Sequence, residues 1–153
     1  MKKQIATITL ATTLGLGIQP IVSSAETDQN TQTAQQSGWV QEATGKWFFY
    51  ENGAKKTGWL ALENKWYYLD PNAGGEMKIG WAQVNGKWYY LDANLGGAMK
   101  TGWVQVDGKY YYLDPATDGS MKTGWLQENG KWYYLNANDG GAMKIGWEKV
   151  DEK

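Results

Sequence analysis

An all-β solenoid of stacked β-hairpins is the fold this sequence predicts, and three observations predict it. The dipeptide Gly-Trp recurs, with its tryptophan at Trp39, Trp59, Trp81, Trp103, Trp125 and Trp147, in steps of 20, 22, 22, 22 and 22 residues. An aromatic triplet follows each of the first five: Trp47-Phe48-Phe49, Trp66-Tyr67-Tyr68, Trp88-Tyr89-Tyr90, Tyr110-Tyr111-Tyr112 and Trp132-Tyr133-Tyr134. Between dipeptide and triplet sits a turn signal such as Asn85-Gly86. A fixed period of this length marks repeats that bury their apolar faces on one another, not a domain with a single centre. The array amounts to five repeats of about 22 residues plus a partial C-terminal one.

Each repeat reads as a hairpin. Trp81–Val84 and Lys87–Asp92 are β-prone runs joined by Asn85-Gly86, and Asn-Gly suits a two-residue turn because both positions take positive φ. Asp107-Gly108 and Asn129-Gly130 repeat the signal. Glu63-Asn64 departs from it, and Glu42–Gly45 is longer. A two-residue turn sets Val84 opposite Lys87, Gln83 opposite Trp88, Ala82 opposite Tyr89 and Trp81 opposite Tyr90. Side chains alternate along a strand. One face therefore carries Trp81, Gln83, Trp88 and Tyr90, a half-open aromatic surface. The other carries Ala82, Val84, Tyr89 and Leu91, a packing surface. Between hairpins runs a Gly-rich connector ending in Met77, Met99, Met121 or Met143, each four residues before the next Gly-Trp tryptophan. An isolated hairpin is marginal in water, so stacking must supply the cooperativity.

The segments before the repeats have other characters. Residues 1–25 start Met1-Lys2-Lys3, run apolar from Ile5 to Ile18 and reach Ser23-Ser24-Ala25, the pattern of a secretory signal peptide cut after Ala25. The run is short and interrupted, so no membrane span is expected after its removal. Residues 26–37 contain no aromatic or large aliphatic side chain and read as a flexible polar linker. The repeat region is 38–153.

Composition excludes several chemistries. There is no cysteine for a staple or thiol reaction, and no histidine as general base or metal ligand. Net charge is −1, with lysines spread along the repeats, which gives no footprint for nucleic acid. Asp70, Asp92 and Asp114 recur at matching strand ends, and Asn136 holds the fourth such place. A role shared by Asp and Asn points to turn hydrogen bonding and not to acid–base catalysis. No metal or cofactor is expected, and no enzymatic activity.

The periodic rings serve as core in one reading. In the other, rings from adjacent hairpins also leave a cage between them. Two tryptophans, a tyrosine and a methionine around one gap present electron-rich faces without formal charge, which suits a quaternary ammonium.

The pattern carried by Gly80–Trp103, with its two tryptophans, tyrosine pair, methionine and turn glycines, resembles the choline-binding (cell-wall-binding) repeats of Gram-positive surface proteins and lysins. The resemblance covers Gly38 to Trp147. It implies a hairpin solenoid that binds phosphocholine groups of wall teichoic and lipoteichoic acids in cages between consecutive repeats. Carried over by position, the first cage takes Trp39 and Trp47 with Tyr67 or Tyr68 and Met77. The second takes Trp59 and Trp66 with Tyr89 or Tyr90 and Met99. The third takes Trp81 and Trp88 with Tyr111 or Tyr112 and Met121. The fourth takes Trp103 and Tyr110 with Tyr133 or Tyr134 and Met143.

Three departures stand out. Tyr110 replaces a tryptophan, so the fourth cage should be weaker or differently shaped. Lys55 holds the methionine position of the first repeat. The last repeat stops after Trp147, so Trp125 and Trp132 form an end cap or a site completed by a second copy, as in a homodimer. With the leader pattern, the resemblance implies a secreted protein held at the cell wall, and the lack of a plausible acid–base or nucleophile pair predicts that it is non-catalytic. A glucan-binding repeat is the rival, with Gln83, Gln105 and Gln127 as candidate partners for sugar hydroxyls. A wall-anchored interaction protein that competes with lysins for the same sites is the third reading.

Overall fold

The computed structural model describes residues 36–146. The expected signal peptide, nearly all of the linker, and Trp147 lie outside the described residues. The strands come in sets. The first set is β1 (Gly38–Gln41), β2 (Trp47–Glu51) and β3 (Ala54–Lys55). The second is β4 (Gly58–Leu62), β5 (Lys65–Asp70) and β6 (Glu76–Met77), and the third β7 (Gly80–Val84), β8 (Lys87–Asp92) and β9 (Ala98–Met99). The fourth is β10 (Gly102–Val106) and β11 (Lys109–Leu113). The fifth is β12 (Gly124–Glu128), β13 (Lys131–Asn136) and β14 (Ala142–Met143). Four sets are three-stranded antiparallel sheets, and in the fourth a single bridge between Leu113 and Met121 stands in for the third strand. The architecture is the expected all-β stack of hairpins.

The register follows from turn chemistry. Trp81 pairs with Tyr90, Ala82 with Tyr89, Gln83 with Trp88 and Val84 with Lys87. The corresponding pairs recur in the second, fourth and fifth repeats. Asn85, Asp107 and Asn129 take φ of 49–51°, as this turn requires. Glu63 and Asn64 make the same turn with φ of 51° and 61°, although neither is glycine. The longer first turn closes through the Gly45 amide donating to the Glu42 carbonyl at 2.8 Å.

The connector contributes more than its composition suggests. Its Asp or Asn side chain accepts from the amide two residues on, as in Asp70 to Asn72, Asp92 to Asn94, Asp114 to Ala116 and Asn136 to Asn138, at 2.9–3.0 Å. This is the shared turn role expected of these positions. The chain then turns back and its methionine joins the sheet: Met77 pairs with Leu69, Met99 with Leu91 and Met143 with Leu135. The third strand is absent from the sequence reading because two residues are too few to show alternation.

Stacking sets the tryptophan face of one hairpin against the opposite face of the next. Ala82, Tyr89 and Leu91 form one buried cluster, with Trp59 and Tyr68 of the preceding repeat and Val84 and Met99 packed on it. Tyr112, Leu126 and Leu135 form another with Trp103, Tyr133 and Met143. Leu69, Leu91, Leu113 and Leu135 are completely buried. Each contributes about 1.5–3 kcal/mol on leaving water. A backbone bond from the Met121 amide to the Trp88 carbonyl, 2.7 Å, ties the third and fourth repeats.

Methionines of one repeat abut glycines of the next. A Cβ on Gly119 would lie 2.5 Å from Met99 Cε, whereas one on Gly86 would meet nothing within 4 Å. Both residues have positive φ, 79° and 78°, so backbone strain is matched between them. Gly119→Ala is expected to cost up to about 1 kcal/mol more than Gly86→Ala, because the flexible end of Met99 can move aside to relieve the overpacking. Denaturant unfolding of the two variants measures the difference.

Candidate functional site

Stacking one hairpin on the next brings rings of adjacent repeats into contact. The Gly-Trp tryptophan of each repeat meets the first tyrosine of the next pair edge-to-face: Trp39–Tyr67 at 5.0 Å, and Trp59–Tyr89, Trp81–Tyr111 and Trp103–Tyr133 each at 4.9 Å. The second tyrosine turns to its own repeat. Tyr68 packs on Trp59, Tyr90 on Trp81, Tyr112 on Trp103 and Tyr134 on Trp125, at 5.0–5.2 Å. Within each pair, Tyr67, Tyr89, Tyr111 and Tyr133 meet the Gly-Trp tryptophan of the preceding repeat, and Tyr68, Tyr90, Tyr112 and Tyr134 pack on the tryptophan of their own. Strand alternation forces this, since the two members of a pair point to opposite faces.

The triplet's tryptophan completes the aromatic angle. Trp66 stands at 86° to Trp59, and Trp88 at 87° to Trp81, both with centroids 6.4 Å apart. Trp66 and Trp88 are 48% and 40% exposed, so their faces stay open to ligand. Around Trp59, Trp66, Tyr89 and Met99 lies a cleft of about 530 Å³, the volume range of small-molecule sites. These are the residues assigned to the second cage, with Tyr89 as its tyrosine. Trp81, Trp88, Tyr111 and Met121 hold the corresponding positions one repeat on, and Trp39, Trp47, Tyr67 and Met77 one repeat back. In the fourth groove Trp103, Tyr133 and Met143 share a cluster, and Tyr110 takes the register position of a tryptophan opposite Gln105.

Two repeats do not complete the cleft. Its outer wall comes from the connector of the repeat after next, with Pro115, Thr117, Asp118 and Gly119, together with Thr101. Sequence reasoning missed these residues because it paired nearest neighbours only. A signal was present: Asp118 stands where the other connectors have Gly74, Gly96 and Gly140. Those glycines take the left-handed conformation and cap short 3₁₀ turns at Pro71–Ala73, Ala93–Leu95 and Ala137–Asp139. Asp118 does not take a positive φ, and this connector has no such turn.

Asp118 makes three bonds: from Lys87 Nζ at 2.7 Å, from the Tyr89 hydroxyl at 3.1 Å and from the Ser120 amide at 3.2 Å. The Lys87 ammonium and then Ser120 hold its carboxyl well below the usual carboxylate range. Burial, then the bond to Asp118, pushes the Tyr89 hydroxyl up. Asp118 thereby orients a ring of the cleft. Lys46–Glu76 and Lys109–Asp139 make comparable ion pairs to the following repeat, at 2.6 and 2.7 Å.

The first repeat handles its methionine position differently. Lys55 Nζ lies 3.6 Å from the Phe48 centroid and 2.7 Å from Glu42, so a cation of the chain itself covers that ring. At the other end Trp125 and Trp132 are 53% and 63% exposed. The segment that would face them falls beyond residue 146, outside the described residues.

Two family descriptions match the chain, a choline-binding repeat over residues 78–117 and 100–147, and a putative cell wall binding repeat over residues 57–72. The chain belongs to the choline-binding repeat family. Choline binding protein F from Streptococcus pneumoniae is 44% identical, with a TM-score of 0.66 over 76% of this chain and 38% of that one. The same protein in the presence of a peptidoglycan analogue gives 44%, 0.65, 76% and 37%. A multimodular pneumococcal cell wall endolysin from phage Cp-1, complexed with choline, is 38% identical, with a TM-score of 0.53 over 78% of this chain and 33% of that one. The chain thus spans well under half the length of these relatives. No curated protein sequence matches it.

The lowered pKa of Asp118 has a signed consequence. The folded chain takes up this proton less readily than the unfolded chain. The resulting stabilisation is present above about pH 4 and is lost as the pH falls below it. Asp118→Asn is expected to narrow the stability difference between about pH 6 and pH 3, measured by denaturant unfolding. It should also lower the ultraviolet titration midpoint of Tyr89 partway, with burial retaining the rest of the shift.

Proposed function

We propose that this protein is a non-catalytic cell-wall-binding module. Its grooves between consecutive hairpins take the trimethylammonium head of phosphocholine on teichoic and lipoteichoic acids. The observation that carries the reading is the cleft of Trp59, Trp66, Tyr89 and Met99, where ring faces and a thioether surround one gap. A quaternary ammonium has no N–H to donate and is weakly hydrated. It is recognised by aromatic faces, at about 0.5–2 kcal/mol per contact. Three contacts correspond to roughly millimolar affinity. Family membership and the choline complex of the similar endolysin support the same ligand class.

The proposed sites are Trp39, Trp47, Tyr67 and Met77; Trp59, Trp66, Tyr89 and Met99; Trp81, Trp88, Tyr111 and Met121; and Trp103, Tyr110, Tyr133 and Met143. Teichoic acids repeat one group along a flexible polymer. Once one groove is filled, the next binding step is effectively intramolecular, and avidity rises by about 10²–10⁴. Residues 1–25 would direct export and 26–37 would space the repeats from the leader, leaving the protein at the cell surface. The glucan alternative depended on glutamines at the tryptophan face. Gln83, Gln105 and Gln127 are exposed, and the second repeat, whose Trp59 lines the cleft, carries Ala61 at that position.

The test is a titration of the protein lacking residues 1–25, followed by tryptophan fluorescence, with choline and with dextran oligosaccharide. A saturable millimolar response to choline alone is expected. A response to dextran without one to choline would overturn the reading. Trp66→Ala removes one open face of the second groove and should weaken binding there by about five- to thirtyfold, equivalent to one cation–π contact of 1–2 kcal/mol. Isothermal titration of the variant checks it.

A further inference from the structure

In repeats two to five the first strand of the hairpin ends on the packing face. Repeats two to four place Leu62, Val84 and Val106 there. Val84, like Trp59 and Tyr68 of the repeat before, packs against the cluster of Ala82, Tyr89 and Leu91. The fifth repeat places Glu128 at this position. A carboxylate in a half-buried place built for an aliphatic side chain loses hydration and needs compensation. It finds it on two rings of the fourth repeat. Trp103 Nε1 donates to one carboxylate oxygen, and the Tyr112 hydroxyl donates to the other at 3.2 Å. Burial, then this bond, pushes the Tyr112 hydroxyl up. Lys131 faces Glu128 in the register but is exposed. The first repeat has Glu42 at the same position. There the carboxylate meets Lys55 as well as the Tyr50 hydroxyl, so its charge is neutralised within its own repeat.

We propose that Glu128 is a positioning and affinity-setting residue of the fourth groove, which it equips for a cationic ligand by holding and polarising Trp103. The proposal rests on the reading of the grooves as ammonium sites. Two effects follow from the geometry. A carboxylate that accepts from the indole N–H raises the electron density of the ring, and with it the attraction of its face for a cation. The same carboxylate places a negative charge against the indole edge of Trp103, in surroundings that are partly protein and not water. Trp103 also loses rotational freedom, because its N–H is fixed on one side and Tyr133 meets its ring at 4.9 Å on another. These effects act where the aromatic wall is weakest, since Tyr110 replaces the second tryptophan in this groove. They also separate ligands by charge. A cation gains from Glu128, and a neutral molecule of the same shape does not.

The experiment follows the indole N–H resonances of the ¹⁵N-labelled protein lacking residues 1–25. Two probes are titrated: choline, and 3,3-dimethylbutan-1-ol, in which a neutral carbon replaces the nitrogen. Glu128→Gln keeps an acceptor for Trp103 but removes the charge. Glu128→Val restores the residue found at Val84 and Val106. At Trp103, Glu128→Gln is expected to weaken choline by about three- to tenfold, the size of one partly screened charge. It should leave the neutral probe, and choline at Trp59, unchanged. Glu128→Val should weaken choline at least as much and move the Trp103 indole proton upfield. Unchanged choline affinity in Glu128→Gln would overturn the proposal, as would equal weakening of both probes, which marks a packing role alone. Trp59 separates the two levels of the argument. If Trp59 does not respond to choline in the unmodified protein, the ammonium reading itself fails and this inference falls with it. If Trp59 responds and Glu128→Gln changes nothing at Trp103, only the inference fails.

Discussion

The rest of the structure depends on the edge-to-face contact between the Gly-Trp tryptophan of one hairpin and the first tyrosine of the next, repeated four times at 4.9–5.0 Å. Such a pair adds only about 0.5–1.5 kcal/mol beyond the area it buries. Its importance lies in position. It fixes how far one hairpin sits from the next, and therefore both how deeply the leucine and methionine beneath are buried and how wide a groove is left beside them. A single hairpin is marginal alone. Stability in such an array is a sum over repeats and the interfaces between them. The tryptophans consequently belong to the core and to the groove together, and core and site are not competing readings of the same rings.

The grooves share a frame but differ in their electrostatics. Connectors and strand ends are the variable parts, and two acids in them reach rings of a groove wall: Asp118 the Tyr89 hydroxyl, and Glu128 the Trp103 indole. The ion pairs between repeats, such as Lys46–Glu76 and Lys109–Asp139, sit at exposed positions where a pair is worth little in stability. Their acids matter more for where charge lies along the grooves than for holding the stack together.

Much of one repeat was legible in the sequence, because local rules determine it. An Asn-Gly or Asp-Gly turn and strict alternation were enough to place Trp81 opposite Tyr90 and to assign each side chain its face. What lay between repeats was not legible. The rotation from one hairpin to the next is a packing outcome, so the sequence left Tyr89 and Tyr90 undecided. Contact with Trp59 singles out Tyr89 because the opposite faces of successive hairpins meet. The two-residue third strand carried no pattern to read. The outer wall from the repeat after next was invisible to a scheme of adjacent pairs. Asp118 among the connector glycines, and Glu128 among the aliphatic strand ends, were visible departures whose meaning required the fold.

A crystal structure of the protein grown with choline tests the account most directly. The account predicts trimethylammonium density between consecutive hairpins, against Trp59, Trp66, Tyr89 and Met99, with Tyr90 turned away. Empty grooves at saturating choline, or choline seated on the exposed tryptophan–glutamine strands instead, would contradict the claim that hairpin stacking itself builds the site.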